Sequence, residues 1–377
     1  MKYSKFVIIA TSELDKRINI QFGVSELVSK GLDVEFWNIS PITYNINIDS
    51  EIIKGVSYYT FTEKKAFLNK VQEYRSKDYL YLVYLNYTPA TYFCFRALSK
   101  NGCDIAYCLN GIVPVPYRSK WKKLKNYDLI RTGKSILYRL LQKTPLLKPI
   151  SYQLNTCLMS MADYKADKGT KMIPFKTTDF IIAQTYEDDI VGKPYYVFVD
   201  QYLPFHSDMN ASGEHPIQPE KYYHQLNTLF KKIEKQTGVD VVIAAHPVAS
   251  KYKDEDFFES RKVYWGKTQT LVKHSVGVLN HFSTAISFTV LYQKPSLSLI
   301  SDEMVMRWPL KCENVSYRAG LLGAEVINID HIPADPIEFK MDESKMQQYK
   351  DNYLLVPGTG DETNAEVIIS IMKGNYE

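Results

Sequence analysis

Polar side chains follow three apolar runs in the second half of the chain, each at the point where a predicted strand ends. The runs YYVFV, VVIAA and VGVL have the length and composition of strands that are buried on both faces of a parallel sheet. The carboxyl ends of parallel strands share one edge of a sheet, and ligands bind along that edge. We therefore predict one site there, formed by Asp200, His246, Pro247, Asn280, His281, Ser283 and Thr284.

The dipeptide His246-Pro247 is suited to binding a phosphate. Proline restricts the preceding residue to an extended backbone, so the imidazole of His246 projects from the strand end. A ring N–H there can donate a hydrogen bond to a phosphate and stabilise a leaving nucleotide. Ser283 and Thr284 begin a predicted helix over 283–293, and their hydroxyls form an anion site with the first free N–H groups of that helix. The alternative for this pair is an ordinary helix N-cap.

Asp200 ends an apolar run, where a carboxylate serves either as a cap for the next turn or as a general base. We predict that it takes the proton of an attacking hydroxyl. The loop after it also carries His206 and Asp208, which have a spacing that can bind a metal ion. No third ligand is evident in the sequence, so we predict no metal site.

The first half of the chain predicts a neutral polar site. The stretches LNYTPAT and CLNG each follow a predicted strand. Amide and hydroxyl groups at such positions suit a sugar acceptor, and the predicted acceptor-binding residues are Asn86, Thr88 and Asn110. Ordinary loops between strands and helices are the alternative.

Apolar runs that alternate with helical patterns predict an α/β protein with two domains, each built on a parallel sheet. We place the boundary near residue 190, with an acceptor-binding domain at 1–190 and a nucleotide-sugar-binding domain at 191–377. The predicted strands cover 5–11, 33–40, 79–86, 105–110, 179–185, 195–200, 240–247, 262–267, 276–281, 294–300 and 323–329.

Positive charge is concentrated in one segment. Residues 118–148 carry ten Lys and Arg residues and one acidic residue, whereas the whole chain has a formal net charge of +4. Basic residues mixed with aromatic and aliphatic ones favour the surface of an anionic membrane. A solvated basic helix is the alternative. The sequence contains no recognised nucleic-acid-binding module, so we predict no nucleic-acid partner.

The cysteine count and the first residues indicate the compartment. The five cysteines are odd in number and lack metal-ligand spacing, which is typical of reduced thiols in a cytoplasmic protein. The apolar run in MKYSKFVIIATSE is too short for a signal peptide. We therefore predict a cytoplasmic protein that can associate peripherally with the inner face of the cytoplasmic membrane.

Two Rossmann-like domains facing one cleft resemble the GT-B glycosyltransferases. The motifs IAAHP and HFSTAISFTVLYQKPSLSL are similar to the His-Pro and Ser/Thr motifs of bacterial transferases for CMP-activated sialic acid, pseudaminic acid or Kdo. By that resemblance His246, Ser283 and Thr284 hold the CMP phosphate. Those families also carry an acidic motif that ends in glycine and supplies the base. This chain lacks it at a comparable place, and Asp200 is the substitute.

The resemblance implies a sialyltransferase-like enzyme that moves an acidic sugar from a CMP-linked donor to a bacterial surface glycan, such as capsule or lipopolysaccharide. It implies no cofactor and no metal requirement. One alternative is an enzyme that uses a UDP-sugar, either a transferase or a relative of the UDP-N-acetylglucosamine 2-epimerases. Another is a teichoic-acid-type polymerase that uses a CDP-polyol and needs a second catalytic histidine, for which His281 is the candidate. A protein that only binds nucleotides is the last alternative.

Overall fold

The computed structural model describes residues 1–43, 52–75, 78–108, 113–117, 129–160, 163–206 and 216–376. This part of the chain divides into two compact units. The first contains residues 1–108, 129–181 and 351–376, and the second contains residues 113–117 and 182–350. Each unit has its own sheet, in which every described strand pair is parallel. The predicted fold class, α/β with two Rossmann-like domains, is confirmed.

The sheet of the first unit has the order β3-β2-β1-β4-β5-β6-β7. Its strands are β1 (Lys5–Ala10), β2 (Val34–Asn38), β3 (Val56–Thr60), β4 (Tyr79–Tyr84), β5 (Asp104–Cys108), β6 (Tyr152–Asn155) and β7 (Lys171–Pro174). The central strands are buried on both faces, because one set of side chains packs in one apolar cluster and the alternating set packs in another. From β1 the successive strands are added on one side as far as β3 and then on the other side from β4 to β7, so the strand order reverses between β1 and β4.

The sheet of the second unit has the order β10-β9-β8-β11-β12-β13. Its strands are β8 (Tyr195–Val199), β9 (Asp240–Ala245), β10 (Val263–Trp265), β11 (Gly277–Asn280), β12 (Ser296–Ile300) and β13 (Glu325–Asn328). Apolar clusters cover both of its faces as well. The chain reverses its direction across this sheet between β8 and β11, and such a reversal is where open α/β sheets bind ligands.

Helices connect the strands and cover the faces of the sheets. In chain order the described helices are α1 (Lys16–Phe22), α2 (Val24–Ser29), α3 (Ser40–Thr43), α4 (Lys64–Glu73), α5 (Tyr92–Lys100), α6 (Leu129–Leu141), α7 (Thr178–Ala183), α8 (Pro219–Thr237), α9 (Thr268–His274), α10 (Ile286–Leu291), α11 (Asp302–Arg307), α12 (Pro309–Leu322), α13 (Glu343–Tyr353) and α14 (Asn364–Lys373). A 3₁₀ turn covers Ser250–Lys253. No helix within the described ranges is both long and apolar enough to span a bilayer.

Several predicted elements differ from the structure. The run 179–185 is not a strand, because α7 occupies Thr178–Ala183. Short apolar runs fit both a strand and a helix, and this one has Asp179 in its first turn, where a negative charge favours a helix. The strands β3, β6 and β7 were not predicted. β7 shows why, because it has only four residues and ends in Pro174, and so short a run has no clear periodicity.

The C-terminal segment differs from the predicted domain range 191–377. Residues from Asp351 onward belong to the first unit, because the buried face of α14 packs with that unit's core. The side chain of Asn364 fixes this position: its amide donates to the carbonyl oxygens of Gln21 and Lys176, at 2.6 and 2.9 Å. The boundary near residue 190 stays a prediction.

The amphipathic pattern INIQFGVSELVSKG at 18–31 is typical of one helix, but the structure has two helices there, α1 and α2. Gly23 lies between them with φ of 61°, a left-handed conformation that suits glycine. A Cβ at Gly23 would lie 2.7 Å from the Cβ of Ala365, at the start of α14. Glycine is therefore required both by the turn and by the close approach of α14.

We expect Gly277→Val to lower the free energy of unfolding by about 1–3 kcal/mol, because it overpacks the core at the start of β11. A Cβ at Gly277 would lie 2.8 Å from Cδ1 of Phe339 and 3.0 Å from Cε1 of Tyr196. Urea denaturation measures the change. Gly320→Ala, on the exposed side of α12 with open space around it, is the matched control and should stabilise by about 0.5–1 kcal/mol. Equal stability of the two variants would contradict this packing.

Candidate functional site

Three neighbouring strand ends of the second unit form the candidate site. Asn280 of β11 is in register with Val199 of β8, and Val199 is in register with Ala244 of β9. The backbone N–H of Asp200 continues the pairing by donating to the carbonyl oxygen of Ala244 at 3.0 Å. The residues that end these strands, Asp200, His246 and Asn280, therefore meet at the edge where the chain reverses its direction.

The imidazole of His246 is half-buried at this edge. Its Nδ1 accepts a long hydrogen bond from the backbone N–H of Val248, at 3.4 Å. With Nδ1 as an acceptor, the neutral ring carries its proton on Nε2, which makes Nε2 a donor. Pro247 is exposed and has no N–H, so it shapes the backbone without adding a donor.

His206 lies beside His246, and this pairing was missed by the sequence analysis. The two imidazole rings have centroids 4.7 Å apart and planes at 69°. A turn after β8, closed by the N–H of Phe205 on the carbonyl oxygen of Tyr202 at 2.9 Å, precedes His206. In the sequence His206 stands in a loop at a metal-binding spacing from Asp208, and Asp208 lies outside the described residues.

Asp200 is 3% exposed, and burial raises the pKa of its carboxyl group to about 6. The hydroxyl of Tyr252 donates to Oδ2 of Asp200 at 3.0 Å. The hydroxyls of Tyr223 and Tyr252 are 2.7 Å apart, which extends the chain of hydrogen bonds to α8. Because Asp200 is enclosed in this way, its position differs from that expected of a base that meets an acceptor hydroxyl.

His281 is buried with both ring nitrogens in hydrogen bonds. Its Nδ1 lies 2.7 Å from the carbonyl oxygen of Leu299, so Nδ1 carries the proton. Its Nε2 then accepts from the hydroxyl of Tyr222 at 2.8 Å. Burial lowers the pKa of His281 to about 4, which keeps the ring neutral. The predicted contact of this ring with a nucleotide is therefore replaced by structural hydrogen bonds.

Asn280 has a buried side chain whose amide nitrogen and oxygen both lack a hydrogen-bond partner among the described residues. Leaving a buried polar atom without a partner costs about 1–3 kcal/mol. Such a group in a native structure is commonly satisfied by a ligand or an ordered water molecule. Of the predicted site residues, Asn280 therefore most requires a ligand or a water molecule to complete its hydrogen bonds.

The loop that carries Ser283 and Thr284 is fixed beside β8. The backbone N–H of Phe282 donates to Oε1 of Gln201 at 2.8 Å, and Arg318, a buried cation in α12, donates to the carbonyl oxygen of Phe282 at 3.2 Å. Gln201 directly follows the run predicted as a strand over 195–200, whereas Arg318 is remote in the chain, belongs to no motif and was not found from the sequence.

The helix predicted over 283–293 is shorter in the structure. It covers Ile286–Leu291, and its N-cap is Ala285. The hydroxyl of Ser283 accepts from the N–H of Ala285 at 3.1 Å, so it stabilises the turn before the helix. This corresponds to the capping alternative for Ser283. Thr284 has an exposed side chain in the same turn.

No protein-family model matches this sequence, and no curated protein matches it. Solved structures do match in fold. The calicheamicin glycosyltransferase CalG4 is 13% identical, with a TM-score of 0.54 and coverage of 99% of each chain. UGT2 of Phytolacca americana, solved with UDP-2-fluoro-glucose and pterostilbene, is 12% identical, with a TM-score of 0.54 and the same coverage. The chain has a GT-B fold.

A third match broadens the range of chemistry found on this fold. The wall teichoic acid polymerase TagF, solved as a variant, is 10% identical, with a TM-score of 0.56 over 99% of this chain and 89% of that one. Identities this low establish the fold and leave the reaction open. Within the GT-B fold of this chain, the candidate site described above belongs to the second unit.

The first unit of the GT-B fold holds the predicted acceptor-binding residues. Asn86 is exposed after β4, and the hydroxyl of Thr88 lies 3.1 Å from that of Thr91, so it is engaged at the start of α5. Asn110 lies outside the described residues. The sequence analysis missed Asp163, whose carboxylate accepts from the N–H of Tyr87 at 3.1 Å and whose pKa is raised by burial.

The side chains that could ligate a metal ion are dispersed over the described part of the chain. Among the described residues, no group of three or more His, Cys, Asp and Glu side chains is placed to hold a metal ion. All five cysteines are buried as free thiols. Burial raises the pKa of the Cys108 thiol to about 12, so this group stays protonated at neutral pH.

Proposed function

We propose that the protein is a glycosyltransferase that uses a nucleotide-activated sugar and binds the donor phosphate at the carboxyl edge of the second sheet. The observation that carries this proposal is the meeting of His246, Asn280 and the Ser283 loop at the point where the chain reverses between β8 and β11. The GT-B fold supports it, because the solved proteins that share the fold include glycosyltransferases. A sugar-bearing acceptor is the second substrate.

In the proposed reaction, the acceptor oxygen forms a bond to the anomeric carbon of the donor while the bond from that carbon to the phosphate oxygen breaks. His246 donates from Nε2 to the departing phosphate, and the Thr284 hydroxyl provides a further donor. Donors that meet charge as it develops lower the barrier of the reaction. His206 takes the proton of the acceptor hydroxyl. Asp200 is a positioning residue, whose buried carboxylate accepts from Tyr252 beside the strand ends.

For the donor we propose a CMP-activated acidic sugar of the sialic acid, pseudaminic acid or Kdo type, and for the acceptor a bacterial surface glycan. The support is the pair of motifs IAAHP and HFSTAISF, which lie at the ends of β9 and β11, the two strands on either side of β8. The single phosphate of a CMP donor requires few hydrogen-bond donors, and Nε2 of His246 together with the turn that carries Thr284 would supply them. A UDP-sugar donor is the alternative that retains the same fold and phosphate site.

A second candidate function is favoured by the His206–His246 pair. A polymerase that transfers a polyol phosphate from a CDP-linked donor needs two histidines, one to accept a proton and one to donate it. The sequence analysis assigned the second role to His281, which the hydrogen bonds to Tyr222 and Leu299 now occupy. His206 provides the second imidazole instead.

A thermal-shift titration with CMP, CDP, UDP and GDP tests the proposed function. A ligand that binds only the folded protein raises the melting temperature according to its occupancy. We expect CMP to stabilise the protein most. Greater stabilisation by CDP would favour the polyol-phosphate polymerase, and by UDP a UDP-sugar enzyme. If none of the four nucleotides raises the melting temperature, the nucleotide-sugar proposal is wrong.

A further inference from the structure

Helix α6 presents an apolar face to solvent. Ile136, Leu137 and Leu140 are each 55% exposed. They are spaced so that they share one side of the helix. Single exposed aliphatic side chains are common on protein surfaces, but several that adjoin on one face commonly mark a contact with a membrane or another protein.

The opposite side of α6 attaches the helix to the first unit. The ring of Tyr138 packs edge-on against Tyr92, with centroids 5.0 Å apart. The hydroxyl of Tyr87 donates to the carbonyl oxygen of Tyr138 at 2.9 Å, and Gln142, just after the helix, donates to the carbonyl oxygen of Asp163 at 2.8 Å. These contacts fix the rotation of the helix, so its apolar face is held outward.

The charge of the surrounding segment indicates what covers this face. Residues 118–148 contain ten Lys and Arg residues against one acidic residue. Of these, Arg139 and Lys143 are exposed on or just after α6, beside the apolar face. Cations that flank an apolar stripe match a negatively charged lipid surface, where each cation adds attraction and the apolar side chains enter the headgroup region. Protein interfaces, in contrast, are depleted in lysine, and a stable one buries about 800 Å² per partner, more than three half-exposed side chains supply.

We infer that α6 is an interfacial helix that inserts Ile136, Leu137 and Leu140 between the headgroups of an anionic bilayer. The inference names the contact face within the basic segment. A bilayer contact would bring the enzyme to a lipid-linked acceptor. The inference rests on the proposed function only for the identity of that acceptor.

Sedimentation with lipid vesicles tests the inference. Vesicles of phosphatidylcholine with roughly a third phosphatidylglycerol should bind the protein, and pure phosphatidylcholine vesicles should bind it weakly. The triple variant Ile136→Ser, Leu137→Ser, Leu140→Ser should lower the partition coefficient on anionic vesicles by about tenfold or more. Raising NaCl from about 0.1 M to about 1 M should also release the protein, because the Debye length falls from about 10 Å to about 3 Å.

The second unit offers a matched control for the triple variant. Val305, Met306 and Leu310 are exposed aliphatic side chains on α11 and α12, and their change to Ser should leave vesicle binding unaltered. Binding that is absent in the wild-type protein, or equal in the two triple variants, would overturn the inference. A dimer that light scattering detects in the wild-type protein and that the α6 variant loses would overturn it in favour of a second copy of the chain.

The nucleotide titration separates this inference from the proposed function. The α6 variant should keep the melting-temperature response of the wild-type protein to CMP, because α6 and the phosphate site belong to different units. Vesicle binding without any nucleotide response would leave the interfacial helix in place and reject the transferase. A nucleotide response without vesicle binding would support the transferase and reject the interfacial helix.

Discussion

Replacing His246 with Ala is expected to weaken binding of the donor nucleotide by about 10- to 100-fold, because the phosphate loses a charge-assisted hydrogen bond of about 1.5–3 kcal/mol. The rate of transfer should fall further, by about 100- to 1000-fold in total, since the same donor stabilises the charge that develops as the phosphate leaves. The fold should persist, because the ring is only half-buried. Isothermal titration with the preferred nucleotide measures the first effect.

His224→Ala is the matched control for this prediction. His224 is exposed on α8 of the same unit, so its loss should change neither nucleotide affinity nor transfer. A His246→Ala variant that binds nucleotide as tightly as His224→Ala would remove His246 from the phosphate site. His206→Ala adds a second comparison: it should reduce transfer far more than nucleotide binding if His206 takes the acceptor proton.

Asp200 and His281 should contribute to stability with opposite dependence on pH. The pKa of His281 is lowered from 6.5 to about 4, so its contribution is present above pH 6.5 and is lost as the pH falls toward 4. The pKa of Asp200 is raised from 3.8 to about 6, so its contribution is present below pH 3.8 and is lost as the pH rises through 6. Each effect amounts to about 3 kcal/mol at 1.36 kcal/mol per pH unit, and the two oppose each other between pH 4 and pH 6.

Single variants should separate the two effects. As the pH falls from about 6.5 to about 4, the free energy of unfolding of the wild-type protein should fall by about 3 kcal/mol relative to that of His281→Gln. The variant is spared this loss because glutamine has no proton to gain. As the pH rises from about 4 to about 6, the free energy of unfolding of the wild-type protein should fall by a similar amount relative to that of Asp200→Asn. Urea denaturation at several pH values measures both. Differences that do not change with pH would mean that neither group is buried as the structure places it.

Asp200→Asn also separates a positioning role from a catalytic one. The Asn side chain keeps an oxygen that can accept from Tyr252 but cannot take a proton. If Asp200 only holds the strand ends, transfer by this variant should stay within a few-fold of the wild-type rate at neutral pH. A loss of about 100-fold or more in a folded variant would return the role of general base to Asp200.

The strands of the second unit could be predicted from the sequence because their apolar runs are long, and each ends in a polar residue. The runs before Asp200, His246 and Asn280 correspond to β8, β9 and β11. Their order in the sheet did not follow from periodicity, since it depends on contacts between distant residues. The exposed strand β7 and the helix α7 were missed because short segments near the surface carry too little pattern.

The candidate site was predictable in its location and less so in its chemistry. Sequence shows that a histidine follows a strand, but it does not show what the ring contacts. His281 and His246 look alike in this respect, yet one is enclosed by Tyr222 and Leu299, and the other lies half-exposed beside His206. The partners come from α8, β12 and the loop after β8, which are remote in the chain. Contacts with such remote residues decide which histidine can meet a ligand.

The proposed function requires that a nucleotide phosphate binds at the carboxyl edge of the second sheet. A crystal structure of the protein with the nucleotide that gives the largest thermal shift tests it most directly. We predict a phosphate oxygen within hydrogen-bond distance of Nε2 of His246, close to the turn that carries Ser283 and Thr284. A nucleotide found away from the ends of β8, β9 and β11, with His246 making no contact to it, would contradict the account.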